Sequence, residues 1–158
     1  EADHAIVKSE EHALMMASWK LAWNCEKRGR WTYKLIGDIT TWADRKHGEV
    51  EYYLTQMMSG HGYFKKYLWR MGKVSTPLCL YCRGDVEDDA EHTFFHGSRW
   101  GAERNELYKQ TETQLSPSSL VPTMLKSEKN WHSIALFVRD LLVRKKRDID
   151  AHTPAQRL

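Results

Sequence analysis

Apolar residues recur three and four positions apart along most of this chain, while alternation with a period of two is weak, so the pattern predicts helices. The first runs over residues 10–27, with Ala13, Leu14, Ala17, Leu21 and Ala22 on one face, Ser9 as cap and Gly29 as stop. Asp38 caps a short helix through Ile39, Trp42 and Ala43, ending near Gly48. A third covers 49–59, with Val50, Tyr53, Leu54, Met57 and Met58 inward, and Gly60-His61-Gly62 breaks it. A fourth covers 63–71. Residues 77–88 read as a loop, followed by a short helix through His92, Phe95 and His96 capped by Asp88 or Asp89. A longer helix follows Ser98, marked by Trp100, Leu107 and Leu115, and Ser116-Pro117-Ser118-Ser119 reads as a turn. A final amphipathic helix spans 131–146 with Ile134, Phe137, Val138, Leu141 and Leu142 inward, and 150–158 read as a frayed tail. The expected fold is mostly α, a multi-helix domain with a small zinc-finger insertion. Its expected parts are an N-terminal helical region (1–76), a finger (77–100) and a C-terminal helical region with its tail (101–158).

Composition adds that the chain is globular. Hydrophobic residues are 41%, charged residues 28%, and seven Trp and seven Tyr demand a core to bury against. No apolar run reaches membrane-span length and no signal-peptide pattern opens the chain, so no membrane partner is expected and an intracellular setting is. The first residue is Glu1, which reads as a piece cut from something longer. The net charge of +3 is too small to decide for a polyanionic partner, so the distribution of charge matters more than its sum.

The cysteines are Cys25, Cys79 and Cys82, too few for a disulfide framework. Cys79-Leu80-Tyr81-Cys82 precedes His92-Thr93-Phe94-Phe95-His96 by nine residues. A CxxC turn points two thiolates at one centre, and histidines four apart on a helix share a face. Cys79, Cys82, His92 and His96 thus make a tetrahedral set suited to structural zinc, leaving no position for a substrate or water. Cys25 lies far off and reads as a buried thiol. The loop between the ligand pairs is acidic, with Asp85, Glu87, Asp88, Asp89 and Glu91, so a polyanion would avoid that edge.

Two enzyme patterns fail in context. Val86-Glu87-Asp88-Asp89 lacks the aromatic of a polymerase turn and sits between metal ligands. His47-Gly48-Glu49 followed by Pro77-Leu78-Cys79 imitates the HxE…PCxxC pattern of zinc deaminases, but Leu78 is inserted and the surroundings are helical. That enzyme would need His47 on the metal and Glu49 beside it.

Cations interleaved with aromatics suit RNA or single-stranded DNA, because the cations meet phosphates and the rings stack bases. Lys65, Lys66, Arg70 and Lys73 alternate with Tyr67 and Trp69. Lys27, Arg28, Arg30 and Lys34 surround Trp31 and Tyr33, and a third run is Arg144 to Arg147. The candidate nucleic-acid contacts are Lys65, Lys66, Arg70, Lys73, Tyr67, Trp69 and Arg30.

These residues form a familiar order. Gly29-Arg30-Trp31-Thr32, Leu35-Ile36, Trp42, Arg45 and His47-Gly48-Glu49 are followed by Leu54-Thr55-Gln56, Gly60-His61-Gly62-Tyr63-Phe64 and Tyr67-Leu68. Pro77 to Cys82, Glu91 to His96 and Arg99-Trp100 complete the series. From about Trp19 to Trp100, and more weakly to about Arg147, the chain resembles the region after the reverse transcriptase in arthropod non-LTR (LINE-type) retrotransposon polyproteins of the rDNA-inserting and Jockey-like lineages. The resemblance implies a zinc-knuckle tail, not catalytic by itself, that helps bind template RNA or target DNA in the nucleus, the polymerase and endonuclease sites lying upstream. It also implies a fourth ligand, cysteine, five residues after His92. Gly97 stands there, and His96 is the expected substitute. A protein-interaction module with structural zinc, recruited from such an element, is the alternative; no small-molecule substrate is expected.

Overall fold

The computed structural model describes residues 2–153, and over them the chain is mostly α. Of the expected tail, residues 154–158 lie outside the described residues, while 150–152 continue the last helix. The first helix, α1 (Ala2–Cys25), begins earlier than the spacing of its apolar residues predicts. Its expected inward face is not covered: Leu14 is 72% and Leu21 67% exposed, and Met16 is its buried hydrophobic residue. The helix is held mainly at its C-terminal end, where the Trp23 indole Nε1 donates to Gly37 O at 3.0 Å and packs 5.9 Å from the Tyr33 ring. Cys25, at the end of this projecting helix, is exposed rather than buried.

A helix unmarked by the apolar pattern follows, α2 (Arg30–Ile36). It is too short to stand alone, and tertiary bonds define it. Trp31 Nε1 donates to Met57 O at 2.7 Å and Thr32 Oγ1 to Met58 O at 2.9 Å, while Leu35 is buried. Asp38 caps α3 (Ile39–Ala43) as expected, accepting from Thr40 N. The next helix, α4 (Tyr52–Ser59), is capped by the Glu51 carboxylate and buries Leu54, Met57 and Met58. α5 (Lys65–Arg70) follows the glycine break. Between α3 and α4 Gly48 has φ +87°, and a Cβ there would lie 2.2 Å from the Trp131 ring, so backbone and space both require glycine.

After the finger segment come a π-helical turn (His92–His96), a 3₁₀ turn (Ser98–Trp100) and α6 (Gly101–Thr111). The stretch read as a turn at 116–119 is the start of a helix, α7 (Pro117–Lys126). Ser116 and Ser119 form a capping box and Pro117 takes the first helical position, where its missing N–H costs nothing. The last helix, α8 (Glu128–His152), is longer than the predicted 131–146 and packs on α4, α6 and α7. One core joins Leu35, Leu54, Met57 and Phe64 to Leu120, Met124, Ile134, Val138 and Leu142. The two expected helical regions therefore share a single hydrophobic interior, with the finger laid against it. Among the described residues, no helix is long and apolar enough to cross a membrane.

Candidate metal centre and basic groove

The finger is a tight hairpin. Leu78 and Glu87 make an antiparallel bridge, Cys79 N–H donates to Val86 O at 2.8 Å and Asp88 N–H to Pro77 O at 2.9 Å. The turn directs Cys79 and Cys82 toward the first residue of the π turn. Cys79 Sγ, Cys82 Sγ and a ring nitrogen of His92 all lie within 4.8 Å of one another, with Cys82 Sγ 3.4 Å from His92 Nε2. Two sulfurs and an imidazole at these separations can share one ion, and the soft donor set suits zinc. Burial lowers the His92 pKa, keeping the imidazole in its neutral, ligating form. The Ser98 backbone N–H, aimed at Cys82, holds that thiol below its ordinary pKa, whereas burial pushes the Cys79 thiol up.

His96 does not join the set: its side chain is exposed and outside the three-residue group. The reason is the π turn. Its bonds run from residue i+5 to residue i, one residue further than in an α-helix, and Gly97 N–H donates to His92 O at 2.6 Å. Position 97, rather than 96, is thereby brought against the imidazole: a Cβ on Gly97 would sit 3.3 Å from His92 Nε2. The expectation of a closed set of four protein ligands rested on α-helical spacing, and the structure assembles three of the four.

Behind the finger lies a buried polar knot. Asp88 Oδ2 accepts the Lys65 backbone N–H at 2.8 Å, and Asp88 Oδ1 accepts the Thr93 hydroxyl at 2.9 Å and the Lys145 ammonium. Lys145, 1% exposed on α8, also donates to Thr93 Oγ1 at 3.0 Å, and burial lowers its pKa despite the adjacent carboxylate. Tyr81, between the cysteines, donates its hydroxyl to Asp148 Oδ2 at 2.8 Å; burial raises its pKa. Two side chains of α8 thus grip the finger from behind. Nothing in the spacing of Asp88 and Lys145 along the sequence signals their pairing.

His47 is elsewhere. Its Nε2 lies 3.0 Å from Met124 O and its ring meets Trp131 edge-on, so it packs half-buried against Trp131 while His92 completes the cysteine cluster. This placement removes the deaminase pattern.

The basic and aromatic residues converge on a groove of about 470 Å³ between α2, α5 and the start of the π turn. Arg30, Trp31 and Lys34 line one side and Lys66, Tyr67, Trp69 and Arg70 the other, with Asp89 and Glu91 at one end. The cations of the lining come from two segments that the sequence separates by about thirty residues. His61 stacks on Tyr67 at 4.8 Å between centroids, Arg70 lies 5.5 Å over the same ring, and Trp69 is 50% exposed. Lys66 is paired with Glu87 and Lys34 with Glu91, but Arg30 and Arg70 have no carboxylate partner among the described residues; Arg30 Nη2 donates instead to Trp23 O at 2.9 Å. Lys65 does not face the groove; it is 7% exposed, turned inward at the head of α5. Lys73 is exposed beyond the end of that helix and does not line the groove.

The acidic residues of the finger loop are largely occupied. Glu87, Asp88 and Glu91 each pair with a lysine, and Asp89 caps the π turn by accepting His92 N–H at 2.8 Å. Their repulsion of a polyanion is correspondingly reduced.

Over 87 residues, 55% of its length, the chain is 28% identical to "Retrovirus-related Pol polyprotein from type-1 retrotransposable element R1 2" of Nasonia vitripennis. The chain spans about a fifth of that relative, whose matched part is 21% of its length. No family model and no solved structure matches the chain. The likeness supports a retrotransposon-related origin.

Proposed function

We propose that this chain is a nucleic-acid-binding module of a retrotransposon polyprotein, descended from the region after the reverse transcriptase, in which a zinc-bound finger braces a basic, aromatic groove. The observation that carries the reading is the convergence of Arg30, Lys34, Lys66 and Arg70 with Trp31, Tyr67 and Trp69 on one groove. Cations on both walls fit a phosphate backbone, and an exposed indole beside a stacked His–Tyr pair fits unpaired bases. Arg30 and Arg70 make the first phosphate contacts, since neither has to leave a carboxylate. Lys66 and Lys34 exchange their acidic partners for phosphates, and Trp69 stacks a base. Lys65 supports the wall from within. In the element's cycle the module helps hold template RNA or target DNA in the nucleus.

A bound metal would be held by Cys79, Cys82 and His92, which already lie around a common centre, and the segment just ahead of His92, Asp89 to Glu91, lines the groove. When bound, zinc supplies a cross-link between the hairpin and the π turn, a folding contribution and no transformation of a substrate.

Photocrosslinking tests the placement. A single-stranded RNA carrying photoreactive uridines, irradiated with the protein and digested, should label peptides containing Trp69, Tyr67 and Trp31. Labels confined to the Arg144–Arg147 stretch would refute the groove as the binding path.

A second reading, a protein-interaction module, is favoured by α1, where Ile6, Val7, Leu14, Trp19 and Leu21 are exposed. Salt-independent association with a protein, without affinity for nucleic acid, would select it.

A further inference from the structure

The first helix is apolar on two sides. One side lies on the body of the protein: Met16 is buried, Trp23 bonds to Gly37 O, and Lys20 reaches Asp38 at 3.9 Å. The other side faces away from it. There Val7, Leu14 and Leu21 recur at intervals of seven, with Ile6, Ala13 and Ala17 along one edge. Ile6, Val7, Leu14 and Leu21 are exposed, and nothing among the described residues packs over them. A spacing of seven keeps one side of a helix turned toward a second helix laid along it, so the row has the form of a helix-pairing seam.

The seam is complementary to itself. When the helix is turned end over end and laid on a copy, Leu14 stands opposite Leu14 and Val7 opposite Leu21, as a two-fold interface requires. Ala13 and Ala17 present little bulk beside Leu14 and let the two backbones approach. Charge selects this direction over the parallel one. Before Leu14 stand Asp3, Glu10 and Glu11 against Lys8; after it stand Lys20, Lys27, Arg28 and Arg30 against Glu26. Antiparallel pairing brings the acidic half of one copy to the basic half of the other, whereas parallel pairing sets like charges together at both ends. Asp3, exposed, then lies near the exposed Lys27 and Arg28 of the second copy. Glu10, the one carboxylate within the apolar row, lies opposite the exposed hydroxyl of Ser18.

We propose that this face of α1 binds a second copy of the chain, the two helices pairing antiparallel about Leu14. Each body is fastened to the C-terminal half of its own helix, so the two bodies sit at opposite ends of the pair, a rod of about 36 Å for 24 residues. The inference is independent of whether the groove binds nucleic acid.

Sedimentation equilibrium of the full chain is expected to show a dimer that dilution reverses, since one helix pair is a small interface. Leu14→Glu should weaken it at least ~100-fold, because each copy loses a leucine whose burial is worth ~10-fold or more. The thermal transition of that variant, compared at dilution where the wild type is monomeric, should be unchanged, since Leu14 is exposed. Trp19→Ala, on an exposed residue of the same helix away from the seam, should leave the dimer intact. In Asp3→Cys, copper-catalysed air oxidation should join the new thiol to Cys25 of the second copy, read by peptide mapping. A wild type that is monomeric at every concentration would overturn the proposal and leave the face to a different protein. A dimer indifferent to Leu14→Glu, or lost equally in Trp19→Ala, would overturn it too. Cys25 joined to Cys25 as the main oxidation product would overturn the antiparallel arrangement.

Discussion

Replacing Asp88 by alanine should be among the most damaging single changes in this protein. The carboxylate accepts three hydrogen bonds, from Lys65 N–H, the Thr93 hydroxyl and the Lys145 ammonium, and it balances a cation that is 1% exposed. In Asp88→Ala the Lys145 ammonium keeps only Thr93 Oγ1 as partner. The folded protein then has two choices, to bury an unpaired charge or to discharge the lysine. Discharging it at pH 7 from the ordinary lysine pKa of about 10.4 costs at most about 4.6 kcal/mol, at 1.36 kcal/mol per pH unit. Breaking a buried pair from one side costs ~3–5 kcal/mol on general experience, so the two routes agree on the scale. Against a total stability of roughly 5–15 kcal/mol this is a large fraction. The sign with pH is also fixed. A lysine whose folded pKa is lowered binds fewer protons folded than unfolded, so stability rises with pH until the unfolded lysine titrates near 10.4. Urea unfolding of Asp88→Ala at pH 7 and pH 9 should therefore show a loss of ~3–5 kcal/mol that shrinks at the higher pH. Adding Lys145→Met should recover part of it, because no charge is then left to bury. A loss under about 1 kcal/mol, as for a surface pair, or no recovery in the double variant, would refute the role assigned to the knot.

Other outcomes follow from the same geometry. Trp69→Ala should weaken binding of single-stranded RNA by ~1–3 kcal/mol, the worth of one base stacked on an aromatic, with thermal stability unchanged because the indole is half exposed; equal affinity in a fluorescence titration would remove Trp69 from the groove's function. Gly48→Ala should destabilise strongly, since its Cβ would enter the Trp131 ring at a φ of +87°; a calorimetric transition within a degree of wild type would contradict the packing. Ser116→Ala should cost ~1 kcal/mol by removing the cap of α7, read as a shift of the urea midpoint.

Where amino-acid chemistry acts locally, the sequence was readable. The CxxC turn and His92 are brought together as their spacing implies, and the apolar rows of α4 and α8 face the core, except that Val50, expected inward, precedes α4 and is exposed. The failures share a cause, which is that periodicity does not tell what will cover a face or how a turn is wound. Leu14 and Leu21 lie on a regular helical stripe, yet nothing among the described residues packs over it. Lys65 and Lys66 are indistinguishable as neighbours, but one step around α5 separates a buried lysine from one on the groove. Ser116-Pro117-Ser118-Ser119 contains turn-forming residues and is equally a capping box, and only the apolar run of Leu120, Val121 and Met124 behind it distinguishes the two. That signal was available. The π turn was not: the difference between His96 and Gly97 beside His92 depends on the Arg104 bond to Gly97, made from α6.

The salt dependence of binding tests the groove most directly. Affinity for a single-stranded RNA should be measured across salt concentrations for the wild type and for Arg30→Glu/Arg70→Glu, two exposed substitutions outside the core. Losing two phosphate contacts should lower the affinity and reduce the slope of log affinity against log salt by ~1.4, at about 0.7 per contact on a single strand. A wild type with no salt-dependent affinity, or a double variant with the wild-type affinity and slope, would contradict the proposal that this groove binds nucleic acid.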